Sequence, residues 1–380
     1  MKGNAITIGI LGGGQLARMS AYAAFRMGLR VAILEKTPDS PAAQITPLQF
    51  VGAWEDATVM DRFAAVSDVI TLENEFIDAA ILARLEKSGK PVWPSAATLA
   101  AIQDKFIQKE ALARRQLPVA RYRAVNTVAD GVACGDAWGY PYVLKARRNS
   151  YDGYGNRTVK AAQDVEAAMK DLGFPQRELY AEAFVPFERE LAVMVARGHD
   201  GTVRVYPVVE TRQQHHICKW VIAPAPVSGA VQQKVRDLAV AAIEAVQGVG
   251  IFGVELFATA DATVLVNELA PRPHNTGHYT IEACVTSQFE NHVRAVLGWP
   301  LGNPDLRVPA AAMVNLLGKR NGPLQLGDLP TALRHDSAKV HIYGKAESRT
   351  GRKLGHVTVV GQDAAACLKT GMAVDDALTL

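Results

Sequence analysis

Cysteine is scarce in this chain of 380 residues: Cys134, Cys218, Cys284 and Cys367 are scattered, with no C-x-x-C pair. That spacing argues against a disulfide scaffold and against structural zinc, and it fits a reducing, cytoplasmic setting. No apolar run approaches the roughly 18 residues of a membrane span. The N-terminal stretch lacks a signal-peptide cleavage pattern, so no membrane partner is expected. Charge of one sign is lacking too. The net charge of +3 carries no polybasic block, so nucleic acid is not expected as a partner, while local basic sites for small anions are. There is no G-x-S-x-G elbow and no H-E-x-x-H pair, which removes the usual signals of a serine nucleophile and of a zincin. Internal repeats and low-complexity segments are absent.

What is there is an ordinary globular composition, 49% apolar and 21% charged, on a chain long enough for two or three domains. Residues 1–95 alternate strand and helix signals. Ile6 to Leu11, Val31 to Glu35, Asp68 to Glu73 and Pro91 to Pro94 read as strands, and Gln15 to Met27 reads as a helix stopped by Gly28. This pattern predicts a doubly wound parallel sheet, an α/β unit. Residues 96–302 change character. One helix runs from Ser95 to Leu117-Pro118, and strands follow at Tyr142–Lys145, Leu179–Phe184, Glu190–Ala196 and Val203–Val209. A helix at Val231–Val246 precedes two further strands, Gly250–Phe257 and Thr263–Leu269. Many strands on short turns predict an antiparallel α+β domain. Residues 303–380, rich in Gly and Pro turns, read as a small β-rich third unit.

Gly12, Gly14 and Ala17 in ILGGGQLA satisfy the dinucleotide fingerprint G-x-G-x-x-[GA], and Glu35 stands where a ribose 2′-hydroxyl would be met. An NAD-dependent oxidoreductase is therefore one reading. The fingerprint's physical content is narrower: a tight turn, close backbone approach and a helix N-terminus that favours anions. A ribonucleotide substrate is served equally well.

Lys145 ends an apolar strand and runs into a loop holding Gly153 and Gly155. A buried ammonium is costly unless an anion meets it, and a glycine loop can bring N–H groups to phosphate oxygens. An edge lysine before an ordinary hairpin would look the same. In GVELFATADATVLVNELAPRPHNTGH two strands flank Asp261-Ala262, and a simple hairpin register sets Glu255 opposite Glu268. Facing Cβ atoms lie about 4.5–5.5 Å apart, so the carboxylates repel unless a cation such as Mg²⁺ joins them to substrate phosphates. Asn267 adjoins as a further oxygen, and the bland alternative is a solvated acidic face. Arg272, His274 and Asn275 follow as donors that could hold a small oxyanion; each histidine alone, His278 included, could equally be a packing residue. Glu182 and Glu190 bracket the apolar Phe184-Val185, a possible adenine hinge, though surface acids would look alike. Lys345, Arg349, Arg352 and Lys353 form a basic C-terminal turn that is either solvated or a phosphate clamp.

In this order the motifs resemble the ATP-grasp enzymes. More narrowly, GGGQLARM, TLENE, YDGYGN, NELAPRPHNTGH and GRKLGH together resemble the 5-(carboxyamino)imidazole ribonucleotide synthase family of purine biosynthesis, from the first strand to about residue 360. The resemblance implies an ATP-grasp fold with a Rossmann-like N-terminal domain (1–95), an ATP-grasp domain (96–302, with a lid at about 115–185 and a core at about 186–302) and a C-terminal domain (303–380). It implies an ATP-dependent carbon–nitrogen ligase that carboxylates 5-aminoimidazole ribonucleotide with bicarbonate through carboxyphosphate, acting as a cytoplasmic homodimer. ATP would meet Lys105, Lys145, the loop Ser150, Tyr151, Asp152, Gly153, Tyr154, Gly155 and Asn156, and Glu182, Ala183, Phe184, Val185, Glu190, Gln213, Asn267 and Glu268. Glu255 and Glu268 would hold Mg²⁺, with Mn²⁺ as a substitute. Arg272, His274 and Asn275, with Tyr151 and Asp152, would form the catalytic set. Gly14, Gln15, Leu16, Glu73, Lys345, Arg352 and Lys353 would bind the imidazole ribonucleotide. Two departures stand out: Tyr154 sits where the family carries Lys or Arg, and Thr211 and Gln213 replace its Asn and His. Another ATP-grasp ligase would keep the nucleotide residues but need different groups at Gln15, Glu73 and the basic turn.

Overall fold

A computed structural model describes residues 5–149 and 154–380. Ser150, Tyr151, Asp152 and Gly153, four of the expected loop residues, lie outside the described residues. The N-terminal unit is built from β1 (Thr7–Leu11), α1 (Gln15–Arg26), β2 (Arg30–Glu35), β3 (Leu48–Val51), α2 (Ala57–Val66), β4 (Val69–Leu72) and α3 (Ala79–Lys87). Its four strands are parallel in the order β3-β2-β1-β4. β1 and β4 are buried along their whole length, as strands covered by helices on both faces must be. The expected strand at Pro91–Pro94 reduces to one parallel bridge, Ile70 to Val92, because a proline at each end supplies no N–H. β3, in a stretch without a strong strand signal, adds the sheet edge.

The helix expected from Ser95 is two helices, α4 (Ala96–Gln103) and α5 (Lys105–Arg114). Asp104 breaks it. Its backbone is extended (φ −93°, ψ 107°), and its carboxylate caps α5 by accepting from Phe106 N (3.0 Å) and Ile107 N (3.2 Å). A cap of this kind is worth about 1 kcal/mol. The same carboxylate takes Arg147 Nη2 at 2.8 Å.

Next comes a four-stranded antiparallel sheet, β5-β8-β6-β7. It comprises β5 (Tyr122–Val125), β6 (Tyr142–Ala146), β7 (Asn156–Val159) and β8 (Leu179–Ala183), with α6 (Val128–Trp138) and α7 (Val165–Asp171) packed against it. A larger antiparallel sheet begins with β9 (Phe187–Arg197), β10 (Val203–Val205), β11 (Val209–Gln214) and β12 (Ile217–Ala223). The run expected over Val203–Val209 is thus split, and Pro207 lies in the gap. α8 (Gly229–Ala245) covers this sheet, and β13 (Gly250–Thr259) and β14 (Val264–Ala270) form its edge. After α9 (Thr280–Ala283) and α10 (Gln288–Val296), the chain returns to the same sheet through β15 (Ala310–Leu317), which pairs with β12. β16 (Gly322–Pro323), α11 (Leu329–Ala332), β17 (Ala338–Ile342), β18 (Glu347–Ser348), β19 (Lys353–Gly361) and α12 (Ala364–Asp376) complete the chain. β19 and β17 extend the large sheet beyond β15, and β16 pairs with β18 alone. The strand ladder therefore runs continuously from the Glu255 hairpin to the basic C-terminal turn.

Candidate active site

The glycine loop is occupied by the chain's own carboxylates. Glu35 Oε2 accepts from Gly13 N at 2.8 Å, and Glu73 accepts from Gly14 N (2.8 Å) and Ala17 N (3.2 Å). A Cβ built on Gly14 would meet Glu73 Oε1 at 2.5 Å, and Gly12 has φ +97° with Glu73 Cγ equally close to its missing Cβ. The glycines admit Glu73, not a pyrophosphate. Burial raises the Glu73 carboxyl above its usual range, while its bonds to Ala17 and Gly14 N–H pull it back. Glu35, expected at a ribose in the dehydrogenase reading, is tied to Gly13 and to Lys36 N instead. Leu16 packs in one cluster with Met19 and Tyr343, and Gln44 Nε2 donates to Gly344 O at 2.8 Å. These contacts bring Lys345 of the basic turn beside the start of α1.

On the large sheet, Glu255 pairs with Glu268. The simple register holds there because two irregularities cancel. The turn is three residues long, with Ala262 at φ +60°, and one extra residue, Asn267, is bulged out between Val266 and Glu268. Glu190 lies on the same face: it faces Phe257 across β9–β13, two residues from Glu255. Gln213 sits two residues beyond Thr211, which pairs with Glu190, and its side chain hydrogen-bonds Glu190. Burial, then Glu268 and Glu190, pushes the Glu255 carboxyl up to about 8. Burial first, with Glu268 adding to it, pushes Glu190 to about 6 even though Gln213 opposes. Glu190 and Glu255, both held back from ionising beside Glu268, complete with it a set of oxygen donors that fits a hard divalent cation.

Two lysine layers face this cluster. Lys105 Nζ lies 2.9 Å from Glu268 Oε2; burial disfavours its charge, but Glu268 and then Glu75 outweigh that and raise its pKa. Behind it, Glu182 is flanked by Lys109 Nζ at 2.7 Å and by Lys145 on its other oxygen. Burial would raise Glu182, yet Lys109 and then Lys145 hold it at about 2. The end of β6 is pinned to α5, since Lys105 N donates to Arg147 O at 2.8 Å. Ala183 closes β8, and exposed Phe184 and half-buried Val185 lead on toward β9, where Phe187 stacks on Phe257 (ring centroids 4.5 Å apart). Tyr154, Gly155 and Asn156 lead into β7, and Asn156 is paired with Lys145 across the sheet.

Arg272, His274 and Asn275 are each already engaged. Arg272 makes a two-pronged ion pair with Glu75 (Nη2–Oε1 2.7 Å); the guanidinium outweighs burial and holds Glu75 at about 2. Burial, then Arg272, lowers His274 to about 3. Its 3.7 Å approach to Glu255 is therefore a contact of neutral groups, and Nδ1 faces Thr276 Oγ1 at 2.9 Å. Gln288 clamps the same residue, accepting from His274 N (2.9 Å) and donating to His274 O (2.8 Å) and His278 Nδ1 (3.1 Å). Asn275 exchanges both amide bonds with Asn315 of β15, at 2.8 and 2.6 Å. His278 is a buried packing residue beside His356.

The basic turn is ordered by its own carbonyls: Lys345 Nζ donates to Lys353 O (2.8 Å) and Arg352 Nη1 to Glu347 O (2.9 Å). Nearby, Glu282 accepts from His341 at 2.7 Å, and His341 stacks on His356 with ring planes 9° apart. One ion cannot lie in the planes of two stacked rings, so this cluster ties β17 and β19 to α9 rather than holding a metal. Sequence reasoning missed Lys109, Glu75, Gln288 and Asn315. Lys109, Glu75 and Asn315 act through partners distant in the chain and Gln288 through residues 10 and 14 positions back; only the i,i+4 spacing of Lys105 and Lys109 offered a local signal.

Family models match three successive stretches. Residues 5–103 match the ribonucleotide synthetase preATP-grasp domain, 110–289 the ATP-grasp domain, and 311–370 the phosphoribosylaminoimidazole carboxylase C-terminal domain. The N5-carboxyaminoimidazole ribonucleotide synthase of Synechococcus elongatus is 42% identical over 93% of this chain and 89% of its own length. This chain belongs to the N5-carboxyaminoimidazole ribonucleotide synthase family. The phosphoribosylaminoimidazole carboxylase of Ogataea methanolica is 44% identical, over 95% of this chain and 67% of that longer protein. A solved synthase from Aspergillus clavatus, in complex with ADP and 5-aminoimidazole ribonucleotide, superposes with a TM-score of 0.90 at 36% identity, covering 98% of each chain. The ATP-grasp fold expected from the motif order is borne out, as is the parallel N-terminal unit. Among the described residues no helix is long and apolar enough to cross a membrane.

Proposed function

We infer that this chain is an ATP-dependent ligase of purine biosynthesis that carboxylates the exocyclic amine of 5-aminoimidazole ribonucleotide. The observation that carries this reading is the convergence of Glu190, Glu255 and Glu268 with Lys105 and Lys145, beside a glycine loop closed by Glu73. Phosphoryl transfer needs charge neutralisation more than covalent catalysis, and these residues supply it.

ATP lies with adenine along Glu182–Val185, ribose at Glu190 and phosphates toward Lys105, Lys145 and the 150–156 loop. Glu255 and Glu268, with Asn267 alongside, would hold Mg²⁺, which when bound offsets phosphate charge. Bicarbonate oxygen attacks the γ-phosphorus, the bond to ADP breaks, and carboxyphosphate forms. The amine nitrogen then attacks the carboxyl carbon, the carbon–oxygen bond to phosphate breaks, and the amine passes a proton to the departing phosphate. Lys105 faces the transferred group. Arg272, held by Glu75, and neutral His274 present fixed donors to the carboxyl oxygens, so little reorganisation is needed as charge develops. Asn275 sets the loop by gripping Asn315. Gln15, Leu16 and Glu73 form one wall for the ribonucleotide, and Lys345, Arg352 and Lys353 face its phosphate. The working unit is a cytoplasmic homodimer.

The test is ADP release with and without the aminoimidazole ribonucleotide and bicarbonate. Stimulation requiring both is expected; its absence would sink the synthase reading.

A further inference from the structure

Lys109 is a lysine that neither the phosphates nor the metal carboxylates require, yet it is 2% exposed on α5. Its ammonium lies 2.7 Å from Glu182 Oε1 and donates to Val266 O at 3.3 Å. Lys145 holds the other oxygen of the same carboxylate from β6. The side chains of Lys109 and Glu182 are 2% and 4% exposed, whereas that of Lys145 is 19% exposed. Lys109 and Lys145 thus share one carboxylate; burial lowers the pKa of Lys109, Glu182 opposes that and Lys145 adds to it, and Lys145 is the more exposed of the two lysines.

We propose that Lys109 is a positioning residue: the permanent counter-ion of Glu182, whose presence lets Lys145 leave that carboxylate for a nucleotide phosphate. The proposal rests on the reading of Lys145 as an ATP ligand. With Lys109 in place, departure of Lys145 leaves Glu182 neutralised. Without it, Lys145 is the carboxylate's sole partner, and every phosphate contact strands a buried charge, the costly case for a broken internal pair. Lys109 does not itself reach the nucleotide, because its ammonium is spent on Glu182 and a main-chain carbonyl inside the core.

The test is steady-state kinetics and ATP calorimetry on Lys109→Met, Lys109→Arg and Lys145→Met, and on Lys109→Met placed in a Glu182→Gln background. Lys109→Met raises KM for ATP by about tenfold or more while changing KM for the ribonucleotide much less. Lys109→Arg, which keeps the charge, recovers most of that loss. In the Glu182→Gln background Lys109→Met has an effect below about twofold, because no carboxylate remains to be stranded. This arm also decides the matter if the single variant fails to fold, since the pair is removed together. An unchanged KM for ATP in folded Lys109→Met, or an undiminished effect in the Glu182→Gln background, would overturn the proposal. If Lys145→Met raises KM for ATP and Lys109→Met does not, the ATP site stands and only the role of Lys109 falls. If Lys145→Met leaves ATP binding intact, both fall.

Discussion

Glu73 closes on Gly14 across the crossover of the N-terminal sheet, its Oε1 accepting from Gly14 N at 2.8 Å while Oε2 takes Ala17 N. The carboxylate occupies the helix terminus where a dinucleotide fold would seat a pyrophosphate. A second anion there would face this one.

It follows that the fingerprint does not make an NAD site. Fluorescence titration of the protein with NADH is expected to give no saturable signal, and saturable binding would restore the oxidoreductase reading. Glu73→Gln is expected to cost about 1 kcal/mol of stability through the weakened cap and to raise KM for the ribonucleotide more than KM for ATP.

Glu268 touches Lys105 and faces Glu255, so on the proposed reading its charge serves both the metal and the phosphate layer. Glu268→Gln is expected to lower kcat by about a hundredfold or more with an unchanged circular dichroism spectrum. Near-normal turnover would remove it from the site.

If the acidic cluster holds Mg²⁺ as proposed, that binding is expected to depend on pH. In the metal-free protein Glu190 and Glu255 ionise at about 6 and about 8, above the usual carboxylate range. Folded protein therefore holds protons that the unfolded chain has lost, and metal-free stability falls as pH rises from about 4.5 through 8. Mg²⁺ needs the carboxylates ionised, so its affinity rises over the same window with proton release. Calorimetry in buffers of different ionisation enthalpy measures this; affinity independent of pH between 6 and 8 would contradict it.

Gln288 is fully buried and satisfies His274 on both sides. Gln288→Leu leaves those groups unpaired, and a loss of about 1–3 kcal/mol per orphaned group is expected. The thermal midpoint should drop and kcat fall by about tenfold, with KM for ATP little changed. An unchanged kcat in folded protein would show that His274 needs no such clamp.

Much of this molecule was legible along the chain. The Glu255–Glu268 pairing followed from the turn position, although a longer turn and the Asn267 bulge had to cancel for the simple register to hold. The break at Asp104 was not legible, because the apolar pattern runs straight through it. Arg272 and Glu75 stand 197 positions apart, and nothing near either announces the other. Lys109 reads locally as one more charge on a polar helix with no marked apolar face; only the fold buries it against Glu182.

The order of motifs and the strand and helix periodicities determined the fold class and the chemistry, because those signals are local: each strand's apolar run or helix's cap is written in its own neighbours. Tertiary structure alone decided which carboxylate fills the glycine loop, which lysine is buried and which is the more exposed, and which acids keep their protons. Those outcomes depend on distances between charges from remote segments and on how far burial strips them of water, quantities no stretch of sequence contains.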